Sequence, residues 1–371
     1  MKRLIPTLLF LPACLLFLQY GSLAQTDSKN TARAGNDILL KNYHPVSIYN
    51  IPITRVTKAA WPVTDMHSHD YAKSDADIDR WVRAMDSSGI ARTVILTYST
   101  GPRFDSIVDK YSRYKGRFLF YCGFDYTGFG QPGWAEKAIA ELNRCYQKGA
   151  RGIGELGDKG EGELYSYPTP GRGIHIDNPA LKPLLSRCGA LKMPVIIHVA
   201  EDRWMYQQPD ASNDGLMNAE KWHVNMQVPG KLDHDQLLAS LSKAVGENPN
   251  VTFVACHFAN CCSDLNVLGD LLSRHPNLYA DIAARYAETG PIPRFAAAFI
   301  TRWQDRLVYG TDMGTEASMY RSTFRILETT DEHFYDPSLS DYHWALYGFN
   351  LPKDVLRKLY QANAEKIITQ H

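Results

Sequence analysis

Val63-Thr64-Asp65-Met66-His67-Ser68-His69 is a short run that closes on two histidines. Its length and β-branched start suit a parallel strand buried on both faces. Seven similar runs follow: Thr93 to Thr97, Phe118 to Gly123, Gly152 to Glu155, Val195 to Val199, Val251 to Ala255, Leu278 to Ile282 and Leu307 to Tyr309. Segments of helical period separate them, at Ala76 to Ser88, Phe104 to Tyr114, Trp134 to Lys148, Pro179 to Leu191, Asp235 to Val245, Asp264 to Arg274 and Pro293 to Trp303. Strand-then-helix repetition predicts an α/β fold, a closed parallel (β/α)8 barrel, with an open doubly wound sheet as the rival. Long connections are expected after the fourth strand (Gly157 to Asn178), the fifth (Glu201 to Leu232) and the eighth (Thr315 to Leu351). All three leave the C-terminal ends of strands, where such barrels carry their substrate loops.

Outward from the barrel, residues 61–371 read as one domain and residues 25–60 as a polar, Pro-punctuated arm. Residues 1–24 have the pattern of an export signal: Met1-Lys2-Arg3, an apolar run to Leu18, and Ser22-Leu23-Ala24 as a small-residue cleavage site. The apolar run is shorter than the roughly 20 residues of a spanning helix. The expectation is therefore a mature chain from near Gln25, periplasmic or secreted, without stable membrane insertion. Lipid anchoring at Cys14 is a lesser alternative, because the residues after it stay apolar. Lys+Arg and Asp+Glu number 40 each, which leaves no basic field for nucleic acid or a membrane surface and favours a small-molecule partner. A homo-oligomer is compatible with this composition. The six cysteines beyond the signal form no C-x-x-C knuckle, so neither a zinc ribbon nor a disulfide framework is expected, and Cys261-Cys262 read as thiols.

In an extended segment residues two apart share a side, so His67 and His69 can direct two imidazoles at one point. Alone, that is weak evidence for a metal. The pattern recurs, however: His198 closes the fifth run, His257 the sixth, Glu155 the fourth, and Asp312 lies just past the eighth. Any one of these could cap a neighbouring helix or sit satisfied at the core's edge. Six ligand-type side chains at the same place in a repeat point instead to a metal site, and imidazole with carboxylate suits zinc.

These stretches resemble the amidohydrolase superfamily, in particular its amidohydrolase-related branch of metal-dependent hydrolases on the TIM-barrel fold. The matching features are Asp65-Met66-His67-Ser68-His69, Asp177-Asn178-Pro179 through Pro194-Val195-Ile196-Ile197-His198, Cys256-His257, Tyr309-Gly310-Thr311-Asp312 and Asn363-Ala364. The resemblance implies that His67, His69, His198 and Asp312 contact a divalent metal, expected to be zinc, and that His257 is a ligand or a catalytic group. Where two-metal members often carry a carboxylated lysine on the fourth strand, this chain has Glu155, as the TatD type of hydrolase does. Glu155 would bridge two ions or hydrogen-bond within a one-metal site, and the number of ions stays open.

The expected activity is hydrolysis of an amide, ester or lactone by metal-activated water, with Asp312 as general base and His257 stabilising the oxyanion. One alternative is non-oxidative decarboxylation, since the branch includes enzymes similar to aminocarboxymuconate semialdehyde decarboxylase. Another is a binding protein that keeps the barrel without the chemistry. Expected substrate contacts are Arg203, Trp204 and Tyr206 in the fifth loop, Arg285 and Tyr286 after the seventh strand, and Arg321 and His333 after the eighth. Arginine would pair with a substrate carboxylate and the aromatics would pack its ring.

Overall fold

The computed structural model describes residues 38–218, 226–339 and 343–369. The proposed export signal and residues 25–37 of the arm lie outside them. The described residues fall into two units, divided between Tyr43 and His44. Within the first, Leu40–Asn42 forms one 3-10 turn.

The second unit is the expected barrel. Its eight strands are β1 (Val63–Ser68), β2 (Ile90–Leu96), β3 (Phe118–Cys122), β4 (Ala150–Asp158), β5 (Val195–Val199), β6 (Phe253–Ala255), β7 (Leu278–Asp281) and β8 (Leu307–Val308). Each pairs in parallel with the next in the order β1 to β8. The ends of β8 and β1 meet through Met66 N donating to the Tyr309 carbonyl at 2.9 Å and Asp312 N to the His67 carbonyl at 3.0 Å. Those bonds draw the last strand of the barrel against the first.

Helices α1 (Asp75–Ser88), α2 (Gly101–Tyr111), α3 (Trp134–Lys148), α4 (Lys182–Leu191), α5 (His234–Glu247), α6 (Leu265–Arg274), α7 (Pro293–Arg302) and α8 (Ala317–Glu328) form the outer layer. Local chemistry sets their ends. The Ser74 side chain accepts from Asp77 N at the start of α1, and Gly89, left-handed at φ 88°, closes it. Asp233 and Gln236 form a reciprocal capping box at the start of α5.

The segment Thr315 to Leu351, expected as a loop, contains α8. Met319, Tyr320, Thr323, Phe324, Ile326 and Leu327 on this helix are buried, which completes the eighth repeat. The fourth connection also carries structure: two short strands, Glu163–Leu164 and Gly171–Arg172, pair antiparallel, with Leu164 opposite Asp158 of β4. No helix among the described residues is long and apolar enough to cross a membrane.

Apolar burial is divided between two clusters. The larger lies between strands and helices. The smaller fills the barrel interior with Met66, Val94, Leu96, Ile196, Val254 and Val308, and Ile367 and Ile368 of the C-terminal helix Asn363–Ile368 join it. The Asn363 side chain fixes that helix by donating to the Gln304 and Leu307 carbonyls, both at 2.7 Å. The Asn363-Ala364 match thus marks a structural joint at the entry to β8.

Candidate metal centre

At the C-terminal ends of the strands the structure gathers His67, His69, Glu155, His257 and Asp312. Three imidazoles share one arrangement. His67 Nδ1 donates to Asp281 Oδ2 at 2.8 Å, His69 Nδ1 to the Leu96 carbonyl at 2.9 Å, and His257 Nδ1 to the Ala283 carbonyl at 2.9 Å. An outer acceptor on Nδ1 fixes each ring and leaves Nε2 facing inward, the usual support of a metal-ligating histidine.

The inward nitrogens meet two carboxylates. His69 Nε2 lies 3.4 Å from Glu155 Oε2 and 3.2 Å from Asp312 Oδ1. His67 Nε2 is 3.9 Å from Glu155 Oε1 and 3.8 Å from Asp312 Oδ2, and His257 Nε2 is 3.6 and 3.8 Å from the same two oxygens. His67 is fully buried, and its Nε2 has no hydrogen-bond partner among the described residues. Buried polar atoms are rarely left so. This orphan nitrogen, surrounded by imidazole and carboxylate donors, fits a divalent ion.

The electrostatics agree with that fit. Burial opposes charge on His67, but Asp281, Asp312 and Glu155 outweigh it and push its pKa up to about 9. His69 is raised against burial by Asp312 and Glu155. Burial keeps His257 below the usual histidine range. Glu155 and Asp312 are held below the normal carboxylate range, burial being overcome by the surrounding histidines. Without an ion these shifts favour protons on His67 and His69 opposite the two carboxylates. A divalent ion would exchange for those two protons with no net change of charge.

His198 stands apart from the three. Its Nδ1 is 2.9 Å from Glu155 Oε1, while Nε2 faces the Ala200 carbonyl at 2.9 Å and Glu201 Oε2 at 3.4 Å. Oxygen therefore occupies both nitrogens, and His198 reaches the group through Glu155. Burial and Lys159 lower its pKa, but Glu201 and Glu155 prevail and raise it.

Three further residues build the centre. Buried Asp65 accepts from His67 N at 3.2 Å, Thr311 N at 3.0 Å and the Thr311 hydroxyl at 2.7 Å, locking the end of β1 to the end of β8. Burial pushes its pKa up to about 7 despite those bonds. Asp281 ends β7 at the same place in the repeat as the other polar residues, and that position was the signal for it. Tyr71 donates its hydroxyl to Asp312 Oδ1 at 2.9 Å, a contact between the segments after β1 and β8 that no local pattern announces.

Gly310 lets β8 approach His67. A Cβ there would lie 2.7 Å from His67 Cβ and 3.1 Å from Ala283 Cβ. Gly310→Ala should therefore displace His67 and cost about 1–3 kcal/mol through overpacking. Bound metal per chain should fall in the folded variant, and metal analysis after gel filtration measures it.

A cavity of about 310 Å³ opens beside His69 and Glu155, walled by Tyr98, Tyr165, Tyr167 and Glu163. None of the expected substrate contacts lines it. Arg203 and Trp204 line a second cavity of about 430 Å³ with Asp202 and Met217, and Arg203 also pairs with Asp235. The Tyr206 hydroxyl accepts from Glu201 N at 3.2 Å. Arg285 is bound to Asp202 at 3.1 Å and to the Asn260 side chain, and Tyr286 donates to the Gly310 carbonyl at 2.7 Å. His333 packs among Tyr49, Tyr335 and Tyr347. Arg321 corrects its expectation: it lies on α8, and its guanidinium bonds the Thr57 carbonyl and Ser87 Oγ in the outer layer. All six described cysteines are free and buried, Cys261 and Cys262 included.

A family model described as Amidohydrolase matches residues 54–368. The chain belongs to this amidohydrolase family. No curated protein sequence matches it significantly. Among solved structures, this chain is similar to a dihydroxybenzoic acid decarboxylase from Polaromonas sp. JS666 with bound manganese, at 13% identity and a TM-score of 0.52, covering 83% of this chain and 97% of that one. A 5-carboxyvanillate decarboxylase from Novosphingobium aromaticivorans, complexed with manganese, shares 14% identity at a TM-score of 0.50 over 85% and 99% of the two chains. An uncharacterized TIM-barrel protein from Bordetella bronchiseptica gives 14% and 0.50 over 83% and 98%. At these identities the likeness establishes the TIM-barrel fold.

Proposed function

We propose that this amidohydrolase hydrolyses an amide, ester or lactone bond of a small molecule. The observation that carries the proposal is the unpartnered, fully buried Nε2 of His67, set among two carboxylates and two further imidazoles. A divalent ion bound there, for which zinc is proposed, would polarise a carbonyl and bring the pKa of water towards neutrality. His67, His69, Asp312 and Glu155 would hold it, and His198 would orient Glu155. Asp312 would take the proton of the attacking water at Oδ2, since Tyr71 and His69 occupy Oδ1. His257 Nε2 would face the developing oxyanion or contribute to the ligand set.

The tyrosine-walled cavity beside His69 is the proposed substrate seat. Among the described residues, no lysine or arginine lines it, which suits a neutral carbonyl compound better than a carboxylate. Decarboxylation is the second reading, favoured by the two manganese-containing decarboxylases with a similar fold. The zinc- and manganese-loaded enzyme should be screened against lactones, esters, amides and aromatic carboxylates in ¹⁸O-labelled water. Incorporation of one ¹⁸O into product is expected. Release of carbon dioxide without incorporation would replace hydrolysis by the second reading.

A further inference from the structure

One thiol belongs to the barrel interior. Cys122, Cys145, Cys188, Cys261 and Cys262 pack in the outer cluster, whereas Cys256 lies in the inner one with Met66, Val254 and Tyr279. It directly follows β6 and precedes His257, and it is 0% exposed. Its Sγ, a carboxylate oxygen of Glu155 and ring nitrogens of His67 and His257 all lie within 4.8 Å of one another. All four residues are buried. The neighbouring group of His67, His69 and Asp312 shares His67 but is partly open to solvent at the other two.

We propose that this inner group is a cation pocket in which Cys256 binds a soft divalent ion as a thiolate, together with His67, Glu155 and His257. The inference rests on the reading that this end of the barrel holds a divalent ion, and for a soft ion it exchanges His69 and Asp312 for Cys256 and His257 as ligands. Two observations carry it. The orphan Nε2 of His67 belongs to a residue of this group. The donor set of one sulfur, two nitrogens and one oxygen matches a four-coordinate zinc-type site. Binding replaces the S–H bond by a sulfur–metal bond and displaces the proton of His67 Nε2, and both protons leave to solvent. A thiolate selects zinc, cobalt(II) or cadmium over magnesium and manganese.

Cobalt(II) loading tests this without reference to turnover. The wild-type chain should show a near-ultraviolet sulfur-to-cobalt charge-transfer band. Cys256→Ser should abolish the band and weaken cadmium binding at least about tenfold, the smaller loss typical of a change outside the ligand shell. Manganese affinity should change far less. Cys261→Ser should keep the band. X-ray absorption of the zinc-loaded wild-type chain needs no variant and should show a sulfur at about 2.3 Å. Cobalt bound without the band, or zinc surrounded by nitrogen and oxygen alone, overturns the thiolate inference and leaves the metal reading standing. Failure of the wild-type chain to bind any divalent ion overturns both.

Discussion

Asp312→Asn should lower turnover by about 10²–10⁴-fold, the usual contribution of a positioned general base, while the chain stays folded. Asp312 has a left-handed backbone at φ 53°, a conformation that asparagine tolerates better than most residues. The substitution therefore leaves the loop in place. It removes one negative charge and the only atom proposed to receive a proton, Oδ2, which faces His67 and His257 at 3.8 Å. The amide oxygen can still accept from the Tyr71 hydroxyl, now 2.9 Å from Oδ1. Steady-state rates on the identified substrate, with metal analysis of the same samples, measure the effect. Turnover within a few-fold of wild type would remove Asp312 from the role of base.

The eight strands were legible because a parallel strand covered on both faces needs a short apolar run, and each run ends where the chain must turn at the barrel rim. The same geometry exposed the site: a polar side chain closing an apolar strand has few reasons to be there. Asp281 satisfied that rule and was overlooked because it sits inside the run Leu278 to Ile282 rather than at its visible end. Helix α8 was missed although its apolar residues share one face, because it lies within a segment long enough to pass as loop. Tyr71 could not be found, since its meaning lies in a bond to a residue 241 positions away. The reach of the arginines was hidden for a related reason. Their reach is set by the backbone beneath them, so Arg321 on an outer helix and Arg285 held by Asp202 and Asn260 look alike in sequence.

What Asp65, Asp281 and Gly310 share is that none need touch a substrate, yet each fixes the position of His67. Asp65 holds its backbone, Asp281 its ring and Gly310 the space beside its Cβ. Three strands thus converge on one imidazole, as expected if its geometry limits what the centre binds. The chain therefore concentrates its vulnerability at a residue where small outer changes should act through the proposed ion.

Asp281→Asn should weaken divalent-ion binding by about 10–100-fold, the range for altering a partner behind a metal ligand. Asp281 Oδ1 accepts from His257 N at 2.7 Å and Ala283 N at 3.0 Å, and Oδ2 accepts from His67 Nδ1. An asparagine can keep the two backbone bonds only by turning its NH₂ towards His67. That favours a proton on Nε2 and spoils the nitrogen meant for the ion. Breaking a fully buried pair should also cost on the order of 3 kcal/mol in the ion-free protein. The pH dependence has a definite sign. Because the folded pKa of His67 is raised from 6.5 to about 9, its charged pairing stabilises the ion-free fold fully below pH 6.5 and is lost as pH rises through 9. The variant should therefore fall further below wild type at pH 6 than at pH 10, as read from denaturant unfolding in chelator. An equal deficit at both pH values would mean that His67 carries no proton in the ion-free chain, and the proposed exchange of two protons for one ion would fail with it.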